Sequence, residues 1–280
     1  MALTLRLVAG LTVPEIASAF LVPETTLAQR LTRAKRKIKD AHIPYREPAA
    51  ADLPDRRSAV LAVVYLVFNE GYLASAGDAP IRGELTAEAI RLARVLRELM
   101  PADPEVAGLL ALMLLTEARR RSRFVNGAMV SLDEQDRGAW DRGLIAEGHA
   151  LVRACLARNE PDHYQLMVAV NAVHTDAASA AETDWAQIVT LYNQLFAVLP
   201  TPVIVLNRAI AVAELDGPAV GLALLEPLDL TAYHPWHAAR ADLLRRLGRT
   251  DEARAAYAAA IATSGNAAER AWLAARRDAR

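Results

Sequence analysis

Arg30, Arg33, Arg36 and Lys37 fall on the outward side of one helical period. Side chains of this type in a row suit phosphate oxygens, which guanidinium and ammonium groups contact through charge-assisted hydrogen bonds. Glu24, Thr25, Thr26 and Gln29 precede them and carry short polar groups able to reach base edges. The plainer reading of the same row is a solvated basic helix face. Other chemistry is thinly represented. His149, His163, His174, His234 and His237 show no H-E-x-x-H or Cys/His pattern, so no metal ligands are expected. Asp133, Glu134, Asp136 and Asp141 form an acidic group without a calcium-loop pattern, which suits helix N-termini better than a metal. No nucleophile elbow, Walker loop or dinucleotide fingerprint occurs. The expectation is a non-enzymatic protein with no cofactor.

The elements that must hold the basic row lie between Thr12 and Lys39. Thr12 and Glu15 stand at capping-box spacing, with Pro14 in the first turn, where a missing N–H costs little. Ile16, Ala17, Ala19 and Phe20 give a short helix its apolar face. Leu21-Val22-Pro23 breaks the pattern, and Pro23 suits a first helical position. Leu27, Leu31, Ala34 and Ile38 then recur at steps of four, three and four, one face of a second helix. Residues 23 to 39 would span about 25 Å. Residues 1 to 45 hold seven basic and three acidic side chains, net +4, while the remainder holds 25 basic and 30 acidic, net −5. The near-neutral total of −1 therefore conceals a basic head on an acidic body.

The segment GLTVPEIASAFLVPETTLAQRLTRAKRKIK resembles region 4 of bacterial sigma factors of the extracytoplasmic-function type. Gly10-Leu11-Thr12, Glu15-Ile16-Ala17 and Arg30-Leu31-Thr32-Arg33-Ala34-Lys35 match that family's motifs, whereas Ala28 and Pro23 depart from them. The rest of the chain looks like the subgroup with a long TPR-like C-terminal extension. That likeness rests on Phe68-Asn69-Glu70-Gly71-Tyr72, Gln135-Asp136-Arg137 with Trp140-Asp141, Thr183-Asp184-Trp185 and Leu206-Asn207-Arg208-Ala209. The resemblance implies recognition of promoter −35 DNA by the helix from Pro23 and contact with the β-flap of RNA polymerase. It also implies regulation through the extension, with a small DGPF-type protein as one partner. Family members carry a region 2 ahead of region 4. This sequence starts inside region 4, at Leu3 to Val8, so a portion of a longer sigma factor, or a mis-called start, is expected.

Hydrophobic residues make up 53%, enough to bury a core, and aromatics only 5%, which suits closely packed helices. The single cysteine, Cys155, excludes an internal disulfide and fits a reducing cytoplasm. The longest apolar run, Ala59 to Phe68, is too short to cross a bilayer, and no export signal opens the chain. The expected organisation is a head at 1–44, a Pro-rich linker at 45–55 and a helical extension at 56–280.

Within the extension, Ala59 to Phe68 reads as a buried helix finishing at Gly71, with Asn69 and Glu70 meeting water or backbone. Thr86 to Met100 reads as an amphipathic helix with Leu85, Ile90, Ala93, Leu96 and Leu99 inward. Pro104 opens the next helix. It runs into Arg119-Arg120-Arg121 and Arg123, which read as a solvated helix end. Further helices are expected over 145–156, 164–173 and 183–199, the last with Tyr192 and Phe196 on its apolar face. Residues 202 to 263 read as two helix pairs, the second with Ala241, Leu244, Gly248, Ala253, Tyr257 and Ala260 at the 34-residue repeat positions. Ala267 to Arg277 would cap the end.

The expected fold is all-α: a helix-turn-helix head followed by a TPR-like bundle or solenoid. Two rivals keep that fold and change the function. One is a TPR-type scaffold whose head binds protein. The other is a one-component regulator with a ligand-binding body, for which a buried polar cavity near Asn69 and Glu70 would speak.

Overall fold

The computed structural model describes residues 1–41, 53–125 and 127–279. Among them are fifteen α-helices and two pairs of two-residue strands, so the protein is all-α. Most of the expected linker at 45–55 lies outside the described residues, and its last three positions already belong to a helix.

The head is three helices, α1 (Ala2–Leu7), α2 (Val13–Ala19) and α3 (Glu24–Asp40). The capping box forms: Glu15 N donates to Thr12 Oγ1 at 3.4 Å, and Thr12 N donates to Glu15 Oε2 at 2.6 Å. Leu21 turns the chain in the left-handed region, at φ 51°. Pro23 caps α3 rather than opening it. Leu27 and Leu31 are buried against α1 and α2, but Ile38 is 47% exposed and Ala19 lies outward, contrary to the expected faces. The cause for Ile38 is length. At 17 residues α3 is more than twice as long as either neighbour, so its far end extends past both.

The body begins with α4 (Leu53–Tyr72), α5 (Gly83–Leu99) and α6 (Pro104–Glu117). Helix α6 is the axis of the fold. Asp103 caps it through Glu105 N and Val106 N, and every residue from Glu105 to Leu115 is buried. An apolar stripe would leave one side wet; an all-apolar helix must be covered all round. The coverage comes from α4, α5, α8 (Arg142–Arg158) and α9 (His163–Asp176). Leu5, Ile16, Leu27 and Leu31 of the head share this core with Leu61, Val64 and Phe68. The Arg82 guanidinium adds an ion pair to Glu15 at 3.1 Å. Head and body are therefore in contact.

Between α6 and α8 lie the short α7 (Arg120–Arg123), a turn of two antiparallel strands, β2 (Phe124–Val125) and β3 (Ala128–Met129), and the segment 131–141. Helices α10 (Trp185–Val198), α11 (Pro202–Asp216), α12 (Pro218–Leu225), α13 (His234–Arg246), α14 (Thr250–Thr263) and α15 (Ala267–Asp278) complete the chain. They pack in sequential pairs, α11 to α15 around a second core of Leu206, Ala209, Leu222, Trp236, Leu244, Tyr257 and Leu273, and α10 against α9 and α11 through Ile188 and Leu195. The expected repeat positions Ala241, Leu244, Ala253, Tyr257 and Ala260 are all buried, and Gly248 makes the turn at φ 73°. The series then closes on itself. Strand β4 (Gly265–Asn266) pairs in parallel with β1 (Ala76–Gly77), which brings α15 back to the first layer.

Three further expectations need correction. Leu99 is 72% exposed and Phe196 is 42% exposed, so neither joins the face assigned to it. In the last turn of α10 it is Leu195, beside Phe196, that is buried. Arg119 and Arg123 are buried, at 9% and 8% exposure, and are not a solvated helix end. Arg119 donates to Asn171 Oδ1 at 2.9 Å. Arg123 donates to the Tyr72 carbonyl at 2.9 Å and lies 3.9 Å from the Tyr72 ring centroid.

Candidate nucleic-acid interface

Helix α3 carries the expected contact residues on its solvent side. Glu24, Thr25, Gln29, Arg30, Arg33, Arg36 and Lys37 are exposed, and Thr26 is half-buried. Thr26, Arg30, Arg33 and Lys37 follow steps of four, three and four, which places them on one stripe of the helix. Thr25, Gln29 and Arg36 form the adjoining stripe. Glu24 stands nearer the Leu27–Leu31 side and is the least suited of the set to join them. Arg33 Nε leans back on the Gln29 carbonyl at 3.4 Å, and Thr32 Oγ1 on that of Ala28 at 2.9 Å.

No ion pair ties Arg30, Arg33, Arg36 or Lys37 to an acid among the described residues. The body behaves differently, with pairs such as Arg91–Glu88 at 2.7 Å and Arg94–Glu147 at 2.9 Å. Exposed cations without internal partners leave a net field outside the helix, which steers polyanions. The buried side of α3 is held by Leu27 and Leu31, and its N-terminal turn is set by the capped α2 before it. A short capped helix, a tight turn and a longer exposed helix form the arrangement that lays a second helix into a major groove.

Glu105, Asp162 and His163 have ligand atoms within 4.8 Å of one another. Glu105, which is 2% exposed, already accepts from Tyr164 N at 3.0 Å, Gln165 N at 3.1 Å and Gln165 Nε2 at 3.2 Å. Tyr164 N and Gln165 N are amides of the first turn of α9, so this buried carboxylate reaches across from α6 to cap a helix. Asp136 and Asp141 cap helical turns as well, through Gly138 N and through Gly143 N and Leu144 N.

The polar cavity does not lie at Asn69 and Glu70. Glu70 is buried at 7% exposure and accepts from Ser75 N at 3.1 Å, bracing the loop after α4. Burial raises its carboxyl above the ordinary range, offset in part by that bond. A cavity of about 740 Å³ opens instead between α9–α11, α13–α15 and the segment 131–137. Sequence reasoning missed it. The signal available was Arg137 beside Trp140, a cation and an aromatic within one polar turn.

Residues 1–38 match the family described as sigma-70, region 4. The head is thus a sigma-factor-like helix-turn-helix region, which ties it to DNA binding in transcription. Residues 56–156 match a family of unknown function, DUF6596, which covers α4 to α8. The chain is 46% identical over 275 residues to an uncharacterized protein, R00370, of Rhizobium meliloti strain 1021. That alignment takes in 97% of this chain and 65% of the relative, so the chain spans about two thirds of the relative's length. No solved structure matches the chain.

Proposed function

We propose that this chain contributes promoter −35 recognition to a sigma factor of the extracytoplasmic-function type, with the TPR-like helical extension as its regulatory part. The observation that carries the reading is the exposed row of Arg30, Arg33, Arg36 and Lys37 on α3, within a segment matched to sigma-70 region 4. Arg30, Arg33, Arg36 and Lys37 grip phosphates, while Thr25, Thr26 and Gln29 face base edges, with Glu24 at the margin. RNA polymerase, through its β-flap, is the protein partner on this reading. A small DGPF-type protein is a candidate ligand of the extension. The chain acts by binding and not by catalysis, in the cytoplasm beside the polymerase. No described helix is long and apolar enough to cross a membrane.

Binding of the 280-residue chain to a −35-type duplex, followed by fluorescence anisotropy across a salt series, tests the reading. Affinity is expected to fall steeply with salt as counterions return to the phosphates. Arg30→Ala with Arg33→Ala removes two phosphate contacts and lowers the log–log slope by about 2. A slope unchanged by that double substitution removes this face from the interface.

A further inference from the structure

We infer that the cavity between the C-terminal helices is a binding site for a small organic carboxylate with a flat apolar body. This goes beyond promoter recognition and stands or falls without it.

Size comes first. About 740 Å³ sits within the range of cavities that hold metabolite-sized ligands and far exceeds a packing defect. The wall then specifies shape. Trp185 and Tyr192 on α10 and Ile210 on α11 line it, all only half-buried although large and apolar. Half-covered rings lining a concavity offer area for a flat ligand to cover.

Charge fixes the polar end. Four arginines line the cavity, and three of them are neutralised within the protein. Arg245 pairs with Asp242 at 2.7 Å, Arg246 with Glu214, and Arg276 with Glu134 at 2.9 Å. Arg137 has no carboxylate partner among the described residues. One of its nitrogens, Nη1, donates to the carbonyls of His174 and Ala177 at 2.6 and 2.7 Å, and its guanidinium lies 4.8 Å from the Trp140 centroid. The acid whose field reaches it is Glu182, an exposed side chain that hydrogen-bonds Ser179.

His174 lines the same cavity, edge-on to Trp185 at 5.4 Å between centroids, and its buried Nδ1 has no hydrogen-bond partner. Arg119, close enough for its charge to act on both Arg137 and His174, also has no ion pair among the described residues and has an unpartnered Nε. Burial and these two guanidinium groups keep His174 neutral, with its pKa near 4. Two cations without acid partners among the described residues and an unbonded imidazole nitrogen are a costly arrangement. A carboxylate beside Arg137 neutralises that charge within the cavity. Asp133, exposed on the same lining, provides the opposing possibility of a cationic ligand, which the test separates.

The test uses the full chain and three indole probes of one shape: indole-3-acetate, neutral indole-3-acetamide and cationic tryptamine. Binding is read by calorimetry and by quenching of tryptophan fluorescence. Indole-3-acetate should bind saturably below about 1 mM, with the other two weaker by about tenfold or more. Arg137→Gln should reduce acetate affinity to that of the acetamide, and Arg137→Lys should restore part of it. Ile210→Trp, at a half-exposed position, should fill the space and abolish binding of every probe with the helical circular dichroism unchanged. Absence of saturable acetate binding overturns the site. So does tighter binding of tryptamine, equal affinity for all three probes, or binding that survives Ile210→Trp.

Discussion

His174 illustrates how a residue's setting decides its chemistry. Desolvation first, and the charges of Arg119 and Arg137 after it, hold its pKa down from 6.5 to about 4. In the unfolded chain the ring takes up a proton near its ordinary pKa, whereas the folded chain refuses it until about pH 4. The contribution of His174 to stability is therefore complete above about pH 6.5 and is lost as pH falls towards 4, by up to about 3 kcal/mol. Glu70 and Glu117 act with the opposite sign, because burial raises both carboxyls and favours the folded form as acid is added. Comparing His174→Gln with the unsubstituted chain isolates the imidazole. Urea midpoints measured from pH 7.5 to 4.5 should fall less in the variant. Parallel curves would mean that the ring is protonated in the fold as readily as out of it. The arginine run explains why such settings are hard to read from sequence. Arg119, Arg120, Arg121 and Arg123 are alike in type and adjacent in the chain, yet two are buried. Asn171 and Tyr72, which sort them, lie 52 and 51 residues away.

Elements, by contrast, announce their starts. Thr12, Asp103, Asp141, Asp184 and Thr201 each cap a helix through a side-chain oxygen, and Pro14, Pro104 and Pro202 sit in the first turns they open. Boundaries were legible for that local reason. Inward faces were legible only part of the way along. Ile38, Leu99 and Phe196 all continue a helical period into the last turn of their helices yet stay exposed, while Leu195, in the same turn as Phe196, is buried against Leu166 and Ile204. Periodicity belongs to the helix itself; coverage belongs to what packs on it. The α11–α12 pair gives the element scale its test. A Cβ placed on Gly221 would meet the Ala213 Cβ at 2.4 Å and the Ala209 carbonyl at 2.8 Å, so only glycine permits this crossing. Gly221→Ala gains about 1 kcal/mol of helix propensity but forces the helices apart, for a net loss of about 1–2 kcal/mol by denaturant unfolding. Adding Ala213→Gly should return part of that loss, since the two sites couple by contact. A stabilised Gly221→Ala protein would mean that the helices part freely.

At the scale of the molecule, the chain expected to run out as a repeat series with a capping helix instead returns to its first layer. Nothing local signals the return, because main-chain strand pairing and one asparagine make the join. Asn266 Nδ2 donates to the Ala74 carbonyl at 2.9 Å, across 192 residues of sequence, and Gly265 and Asn266 pair with Ala76 and Gly77. Asn266 also caps α15, accepting from Ala268 N and Glu269 N. Glu269 then receives His234 and Ser264, and Arg276 reaches Glu134. The closure walls the cavity with α15 on one side and the segment 131–137 on another, so a chain open at this join would not enclose a ligand. Asn266→Asp separates the two tasks of the residue. The carboxylate still caps α15 but cannot donate to Ala74, and at about 1 kcal/mol for a lost buried bond the join should open about fivefold more often. Hydrogen exchange should then quicken together in 74–77 and 265–266, while α2 and α3, on the far side of Arg82 and Glu15, keep their rates. Faster exchange in α15 alone would place the effect in the cap, and unchanged exchange in 74–77 would show that the ring is held shut elsewhere.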